Sequence, residues 1–117
     1  MAKHILVVLS NAVSEEREQE FNDWYTNQHI QDVVKFPGFT AATRYVASLV
    51  DMAHDPPRWK YLAIYEAETD DPAQALEALK NAASADPNKM PMSDSLDISG
   101  IYACFYTPIT DRVTAKG

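Results

Sequence analysis

The segments of this chain with the strongest strand character are apolar on both of their faces. In the first of them, Leu6 and Val8 point to one side. Ile5, Val7 and Leu9 point to the other side. A sheet with one face in water alternates apolar and polar side chains, and this segment does not. We therefore expect a sheet that is covered on both faces.

The last strand segment has the same character. Its two faces carry Ile98, Tyr102, Cys104 and Tyr106 on one side and Ile101, Ala103 and Phe105 on the other. Apolar side chains therefore lie on both faces at two separate places in the chain.

Periodicity and turn residues predict six elements in the order β-α-β-β-α-β. They are strands at residues 3–10, 39–50, 59–67 and 98–109, a helix from Ser14 to the Pro37-Gly38 break, and a helix from Pro72 to residue 85. This order is typical of the ferredoxin-like α+β fold, a four-stranded antiparallel sheet with both helices on one face. Because the chain has the length of one domain and no linker divides it, residues 1–117 are assigned to a single domain.

Two helices cover only one face of such a sheet, so the second apolar face needs another partner. The same face of a second copy is the simplest one, which predicts an isologous homodimer. The alternative is a monomer with an unusually apolar surface, but a patch of this size is seldom left exposed.

The charge of the chain narrows the classes of partner. Seventeen acidic residues against ten basic ones give a net charge of −7, so we expect neither a nucleic-acid partner nor an anionic membrane surface. Three glycines in the whole chain do not supply a phosphate-binding loop or a dinucleotide fingerprint. We expect no cofactor.

Cysteine usage and the N-terminus bear on the compartment. Cys104 is the only cysteine, which excludes an internal disulfide, and we expect it to be a small buried apolar residue. The apolar run after Met1 ends at Ser10, which is too short for a signal peptide or a membrane span. The expected location is the cytoplasm.

The first predicted helix carries the densest group of candidate functional residues. Tyr25 and His29 share one helix face, and Trp24, Gln28 and Asp32 share the neighbouring one. A histidine exchanges protons near neutral pH, and an aromatic side chain one turn away excludes water or stacks on a flat ligand. The alternative is a structural histidine near the C-terminal end of the helix, with aromatic side chains that fill the core.

A metal site is a further alternative for the same helix. His29 and Asp32 are close enough in sequence to share a metal ion, but a site with two histidines and a carboxylate would need His4 or His54 to converge on them. These two residues fall on a strand and in a loop. We expect no metal site.

Tyrosines on the predicted strands form a second group. The group consists of Tyr45, Tyr61, Tyr65, Tyr102 and Tyr106, and Arg44 is the central cation of the second strand. If some of these side chains face the helices, they line an apolar cleft that contains a few polar groups. The alternative is that these tyrosines favour the strand conformation and direct their hydroxyls to solvent.

On these residues the chain resembles the dimeric α/β-barrel superfamily and, within it, the EthD-like group. The similar segments are Glu20-Phe21-Asn22-Asp23-Trp24-Tyr25 followed by His29, Phe36-Pro37-Gly38-Phe39, Ala42-Thr43-Arg44-Tyr45, and the strand Tyr61-Leu62-Ala63-Ile64-Tyr65-Glu66. The resemblance covers the chain to about residue 85.

The resemblance implies a sheet-paired dimer with a cleft between the sheet and the first helix. Relatives include cofactor-free polyketide cyclases, muconolactone-type isomerases, quinone-forming monooxygenases and haem-degrading enzymes. By position, His29 takes the proton-transferring role, and Trp24 and Tyr25 take pocket or helix-packing positions. The Asn, Trp and His set of the haem-degrading enzymes has no match here.

Three functions follow as hypotheses. The first is a cofactor-independent lyase, isomerase or cyclase that acts on a small hydrophobic or aromatic metabolite, with His29 as acid and base and Tyr65 or Tyr45 as hydrogen-bond donor. The second is a module that binds a small molecule without chemistry, and the third is a haem- or metal-dependent oxygenase. In the first two, Trp24, Tyr25, Gln28, Asp32 and Arg44 contact the ligand.

Overall fold

Four strands form one antiparallel sheet in the computed structural model, which describes residues 1–48, 57–85 and 87–115. They are β1 (Lys3–Ser10), β2 (Phe39–Val46), β3 (Tyr61–Glu68) and β4 (Tyr102–Tyr106). Their order in the sheet is β2-β3-β1-β4, so the first and third strands are central. The ferredoxin-like α+β architecture predicted from the sequence is confirmed.

The first helix, defined here as residues 15–33, is not a regular α-helix. A 3₁₀ turn (Glu15–Arg17) leads into α1 (Glu18–Trp24), a π-helical turn follows at Tyr25–His29, and α2 (Ile30–Val33) completes it. The backbone N–H of Ile30 donates to the carbonyl of Tyr25, five residues earlier. The sequence predicted one continuous helix that starts at Ser14, but the Ser14 side chain forms no capping hydrogen bond.

The second long helix agrees with its sequence signals. It is α3 (Pro72–Ala85). The Asp71 carboxylate accepts a hydrogen bond from the backbone N–H of Gln74 at 3.0 Å, which caps the helix. Pro72 occupies the first turn, where its missing N–H has no cost.

Two predicted strands are shorter in the structure. The second strand ends at Val46. Residues 47 and 48 are not part of it, and residues 49 and 50, the last of the predicted strand, lie outside the described residues. The segment predicted as a strand over residues 98–109 begins with a 3₁₀ turn, Ile98–Gly100. The Trp59 indole N–H donates to the carbonyl of Gly100 at 2.6 Å. At the far end Pro108 has no N–H to continue the ladder.

The core lies between the helices and one face of the sheet. Phe21, Tyr65, Leu6 and Tyr25 are at most 2% exposed, and all four belong to it. On the other face, called the open face here, the side chains are mostly apolar and only partly covered. They are Ile5, Val7, Leu9, Ala41, Thr43, Tyr45, Leu62, Ile64, Glu66, Tyr102, Cys104 and Tyr106. The two-faced apolar pattern is therefore present in the folded sheet.

Candidate functional site

A hollow of about 390 Å³ opens on the helix side of the sheet, between the first helix, α3 and the chain that follows α3. We call it the helix-side hollow. Its size is within the range of small-molecule sites. Its walls are almost entirely apolar. They are formed by Leu6, Val8, Tyr25, His29, Val33, Tyr65, Leu76, Leu79, Lys80, Ala83, Ser84, Met90, Met92, Leu96, Ile98, Ile101 and Ala103.

His29 is the titratable imidazole in this wall. Its ring stacks on the indole of Trp24 with 4.7 Å between ring centroids and meets the Tyr25 ring edge to face at 5.0 Å. The Nδ1 atom of His29 is buried and has no hydrogen-bond partner among the described residues. A buried polar nitrogen without a partner is costly, so this atom lacks the hydrogen bond that such groups normally make.

Burial lowers the pKa of His29 to about 4, the nearby Asp32 carboxylate opposes this change, and Arg44 adds to it. The imidazole is therefore neutral at physiological pH. A neutral imidazole carries one N–H donor and one acceptor nitrogen.

Two buried phenols stand beside the imidazole. The hydroxyl of Tyr65 donates to the hydroxyl of Tyr25 over 3.4 Å, which is long for a bond between two hydroxyls. Burial raises the pKa of both groups, and the neighbouring Tyr25 raises that of Tyr65 further. Both phenols therefore keep their protons and act as donors. The weak bond between them is easily exchanged for a bond to a ligand oxygen.

Three of the predicted ligand contacts lie behind His29 instead of in the wall. The indole N–H of Trp24 donates to the carbonyl of Pro91 at 3.0 Å, which fixes the plane on which the imidazole stacks. The buried carboxylate of Asp32 accepts a hydrogen bond of 2.8 Å from the exposed Gln28. These residues hold or polarise His29, and none of them lines the hollow.

The π-helical turn explains why Trp24 meets His29. Residues five apart on an ordinary α-helix point about 140° away from each other. The wider turn at Tyr25–His29 brings the two side chains into line. Sequence spacing placed Trp24 with Gln28 and Asp32 and missed the stack.

Two further predicted ligand contacts are elsewhere. Arg44 points to the helix side of β2, but its guanidinium lies over the face of the Tyr25 ring at 4.3 Å and does not reach the helix-side hollow. Tyr45 belongs to the open face of the sheet and is 49% exposed. It therefore does not line the helix-side hollow, because alternate strand residues point to opposite faces.

Most of the wall comes from residues that sequence analysis did not select. Leu76, Leu79 and Ala83 face the hollow from α3, and their spacing of three and four could have identified this stripe. Met90 and Met92 come from the segment read as a loop. The cleft was expected between the sheet and the first helix, and the structure extends it under α3.

A metal site would need several His, Cys, Asp or Glu side chains close together. No group of three or more His, Cys, Asp or Glu residues is arranged for a metal ion in the described part of the chain. His4 has both ring nitrogens occupied, by Thr107 at 2.8 Å and by the carbonyl of Thr69 at 3.1 Å. His54 lies outside the described residues.

Within residues 1–48, 57–85 and 87–115, no helix has the length and apolar character that a membrane crossing requires.

Comparison with known proteins identifies the fold. No protein-family model matches the chain, and no curated protein matches it in sequence. Several solved structures are similar to this chain in fold, among them the following three. An EthD-like protein from Ralstonia eutropha JMP134 has a TM-score of 0.59 and 12% identity over 96% of this chain and 97% of its own. A protein of the ethyl tert-butyl ether D (EthD) family from Bacillus halodurans C-125 has a TM-score of 0.56 and 13% identity over 93% of this chain and 100% of its own.

The third structure is a proposed monooxygenase from Shewanella loihica PV-4, with a TM-score of 0.57 and 13% identity over 93% of this chain and 96% of its own. At these identities the similarity shows the fold alone. The resemblance to the EthD-like group that the sequence indicated is confirmed at that level.

Proposed function

We propose that this protein moves a proton on a small hydrophobic or aromatic carbonyl compound, without a cofactor, in the helix-side hollow. The observation that carries the proposal is the buried, unpartnered Nδ1 atom of His29 in an apolar wall. A ligand with a polarised C–H bond supplies what that nitrogen lacks. Apolar walls suit the hydrophobic remainder of such a ligand.

The chemistry needs two groups of the wall. His29 takes a proton from the carbon next to the ligand carbonyl. The electron pair of the C–H bond forms a carbon–carbon double bond, and the π pair of the carbonyl moves to its oxygen. A phenol, Tyr65 or Tyr25, donates a hydrogen bond to the enolate oxygen that forms. Return of the same proton from the imidazolium to another carbon completes an isomerisation. A phenol that stabilises developing charge in a dry site lowers the activation barrier by about 3 kcal/mol.

The low pKa of His29 makes the free imidazole a weak base. The enolate opposite it compensates, because its developing negative charge stabilises the imidazolium as both form. The Asp32 carboxylate acts in the same direction.

Hydrogen–deuterium exchange of an enolisable ketone tests the proposal. We suggest 2-tetralone, a bicyclic apolar ketone, incubated with the protein in D₂O, with loss of the α-proton signal followed by NMR. We expect exchange faster than in buffer, and we expect His29→Gln to reduce it to the buffer rate. Gln31→Ala, at an exposed position of the same helix, is the matched control and retains the exchange.

A non-catalytic binding module is the second candidate, and the low basicity of His29 favours it. It predicts that 2-tetralone shifts NMR signals of the hollow, at Leu79 and Ala103 for example, while the ketone exchanges no faster than in buffer. A monooxygenase, the activity proposed for the Shewanella protein, would use the same hollow and would consume oxygen with its substrate.

We also propose that two copies pair through their open faces. Val7 is at the centre of that face, between Ile64 on β3 and Cys104 on β4. A face of this extent and apolarity is typical of an interface between subunits. We expect sedimentation at micromolar concentration to give a dimer, Val7→Glu to give a monomer, and the exposed α3 variant Ala78→Glu to remain a dimer. A monomeric unmodified chain would refute the pairing.

A further inference from the structure

The guanidinium of Arg44 is half-buried and has no acidic partner in the part of the chain that the structure describes. It lies over three aromatic rings, with 4.3 Å to the centroid of Tyr25, 5.3 Å to that of Tyr61 and 5.5 Å to that of Phe21. Its hydrogen bonds go to neutral acceptors, the hydroxyl of Thr26 at 2.8 Å and the amide oxygen of Asn22 at 3.0 Å.

No Asp or Glu within the described ranges is in ion-pair distance of this guanidinium. The carboxylate of Glu18, one helical turn before Asn22, is held by Lys60 at 2.9 Å. Burial lowers the pKa of Arg44 from its ordinary value, and the group nevertheless stays charged at neutral pH. Among the described residues, this partly desolvated cation is therefore kept apart from the acidic side chains.

A groove of about 340 Å³ opens beside this cation. It is lined by Asn22, Arg44, Tyr45, Val46 and Tyr61 and shares none of these residues with the helix-side hollow. The Asn22 amide donates to the Tyr61 hydroxyl at 3.0 Å, so the proton of that hydroxyl remains free to donate. An arginine has five N–H donors, of which the two neutral bonds occupy only part.

We propose that this groove, called the Arg44 groove here, binds a small carboxylate. The planar guanidinium matches the two oxygens of a carboxylate, and the Tyr61 hydroxyl supplies a further donor. In this proposal, the negative charge that pairs with the Arg44 guanidinium comes from the ligand.

Benzoate is the probe, and the Nε–H signal of Arg44 in a ¹⁵N–¹H spectrum is the readout. We expect saturable shifts at Arg44 and at the Asn22 side-chain amide, and no comparable shifts with benzamide, the neutral analogue. A charge-assisted hydrogen bond accounts for an affinity loss of about tenfold or more when the charge is removed in Arg44→Gln. Arg58→Gln is the matched control, because Arg58 lies over the Trp59 ring at 4.7 Å, outside the groove.

Tyr61→Phe removes the hydroxyl donor and keeps the ring, so it tests the groove if Arg44→Gln does not fold. We expect it to weaken benzoate severalfold. No saturable shift up to tens of millimolar, equal shifts with benzamide, or unchanged affinity in both groove variants would overturn the proposal. The proposal would also be overturned if the Arg44 signal did not shift with benzoate but shifted on dilution of the protein. That result would mean that Arg44 pairs with a carboxylate of a second chain.

Discussion

Lowering the pH should destabilise this protein through His29 alone by an amount that the structure fixes. Folding lowers the pKa of this imidazole from 6.5 to about 4 because the ring is buried. Between these two values the unfolded chain binds more protons than the folded one, so stability falls as the pH falls. The contribution is complete above pH 6.5 and lost progressively towards pH 4.

The magnitude follows from the two pKa values. One pKa unit corresponds to about 1.4 kcal/mol, so the full shift is worth about 3 kcal/mol. Between pH 7 and pH 5, the free energy of unfolding should fall by about 2 kcal/mol on account of His29. Because the ring is largely buried, screening by solvent reduces this value little.

Urea unfolding of the unmodified chain and of His29→Gln, measured at several pH values, isolates the effect. All other titrating groups are common to both chains, so the difference between the two free energies reports His29. We expect this difference to decrease by about 2 kcal/mol from pH 7 to pH 5. An NMR titration of the His29 Cε1 proton should show a midpoint near pH 4. A pH-independent difference, or a midpoint near 6.5, would refute the burial argument on which the site depends.

Three further predictions concern the frame around the site, and thermal or urea unfolding measures each of them. Phe21→Ala removes a fully buried ring that contacts Trp24, Tyr25 and Tyr61, and we expect a loss of about 4 kcal/mol; a loss below about 1 kcal/mol would contradict that packing. Gly38→Ala places a side chain at φ 94° and should cost about 1–2 kcal/mol, whereas no loss would mean that the turn adopts another conformation. Asp71→Ala removes the cap of α3 and should cost about 1 kcal/mol, with Asp71→Asn as the control that keeps the cap.

The order of the strands and the two-faced sheet were predictable because both depend on local patterns. Alternation predicted that Leu6 and Val8 lie on one face and Ile5, Val7 and Leu9 on the other. The structure places the first pair under the helices and the other three residues on the open face. Pro72 marked the start of α3 for the same local reason, whereas the first helix ends at Val33, before the predicted break at Pro37-Gly38.

The site was only partly predictable because its contacts depend on distances that no pattern encodes. Tyr25, His29 and Tyr65 do line one hollow, as their helix and strand positions suggested. The spacing of Leu76 and Leu79 predicts that α3 has an apolar face, but it does not state how far that face stands from the sheet. That distance decides whether the space between them is filled or hollow.

The π-helical turn was invisible for a similar reason. No proline or glycine lies between Trp24 and Ile30 to mark a break in the helix, and a helix with one wider turn has almost the same sequence signals as a regular one. The contact of Trp24 with His29 follows from that single change in winding. A prediction from spacing therefore fails at the residue pair that matters most for the imidazole.

The support of His29 and the outer wall of the hollow belong to one structural unit. Trp24 carries the imidazole on its face and is itself anchored by the carbonyl of Pro91, 67 residues later in the chain. The residues on either side of that carbonyl, Met90 and Met92, line the hollow. A ligand that shifts the backbone at either methionine therefore also moves the carbonyl that fixes the indole, and with it the plane of the imidazole. The flexible side chains of methionine allow the wall to adapt to a ligand before the backbone at Pro91 has to move, so the orientation of His29 can be kept while ligands of different shape are accommodated.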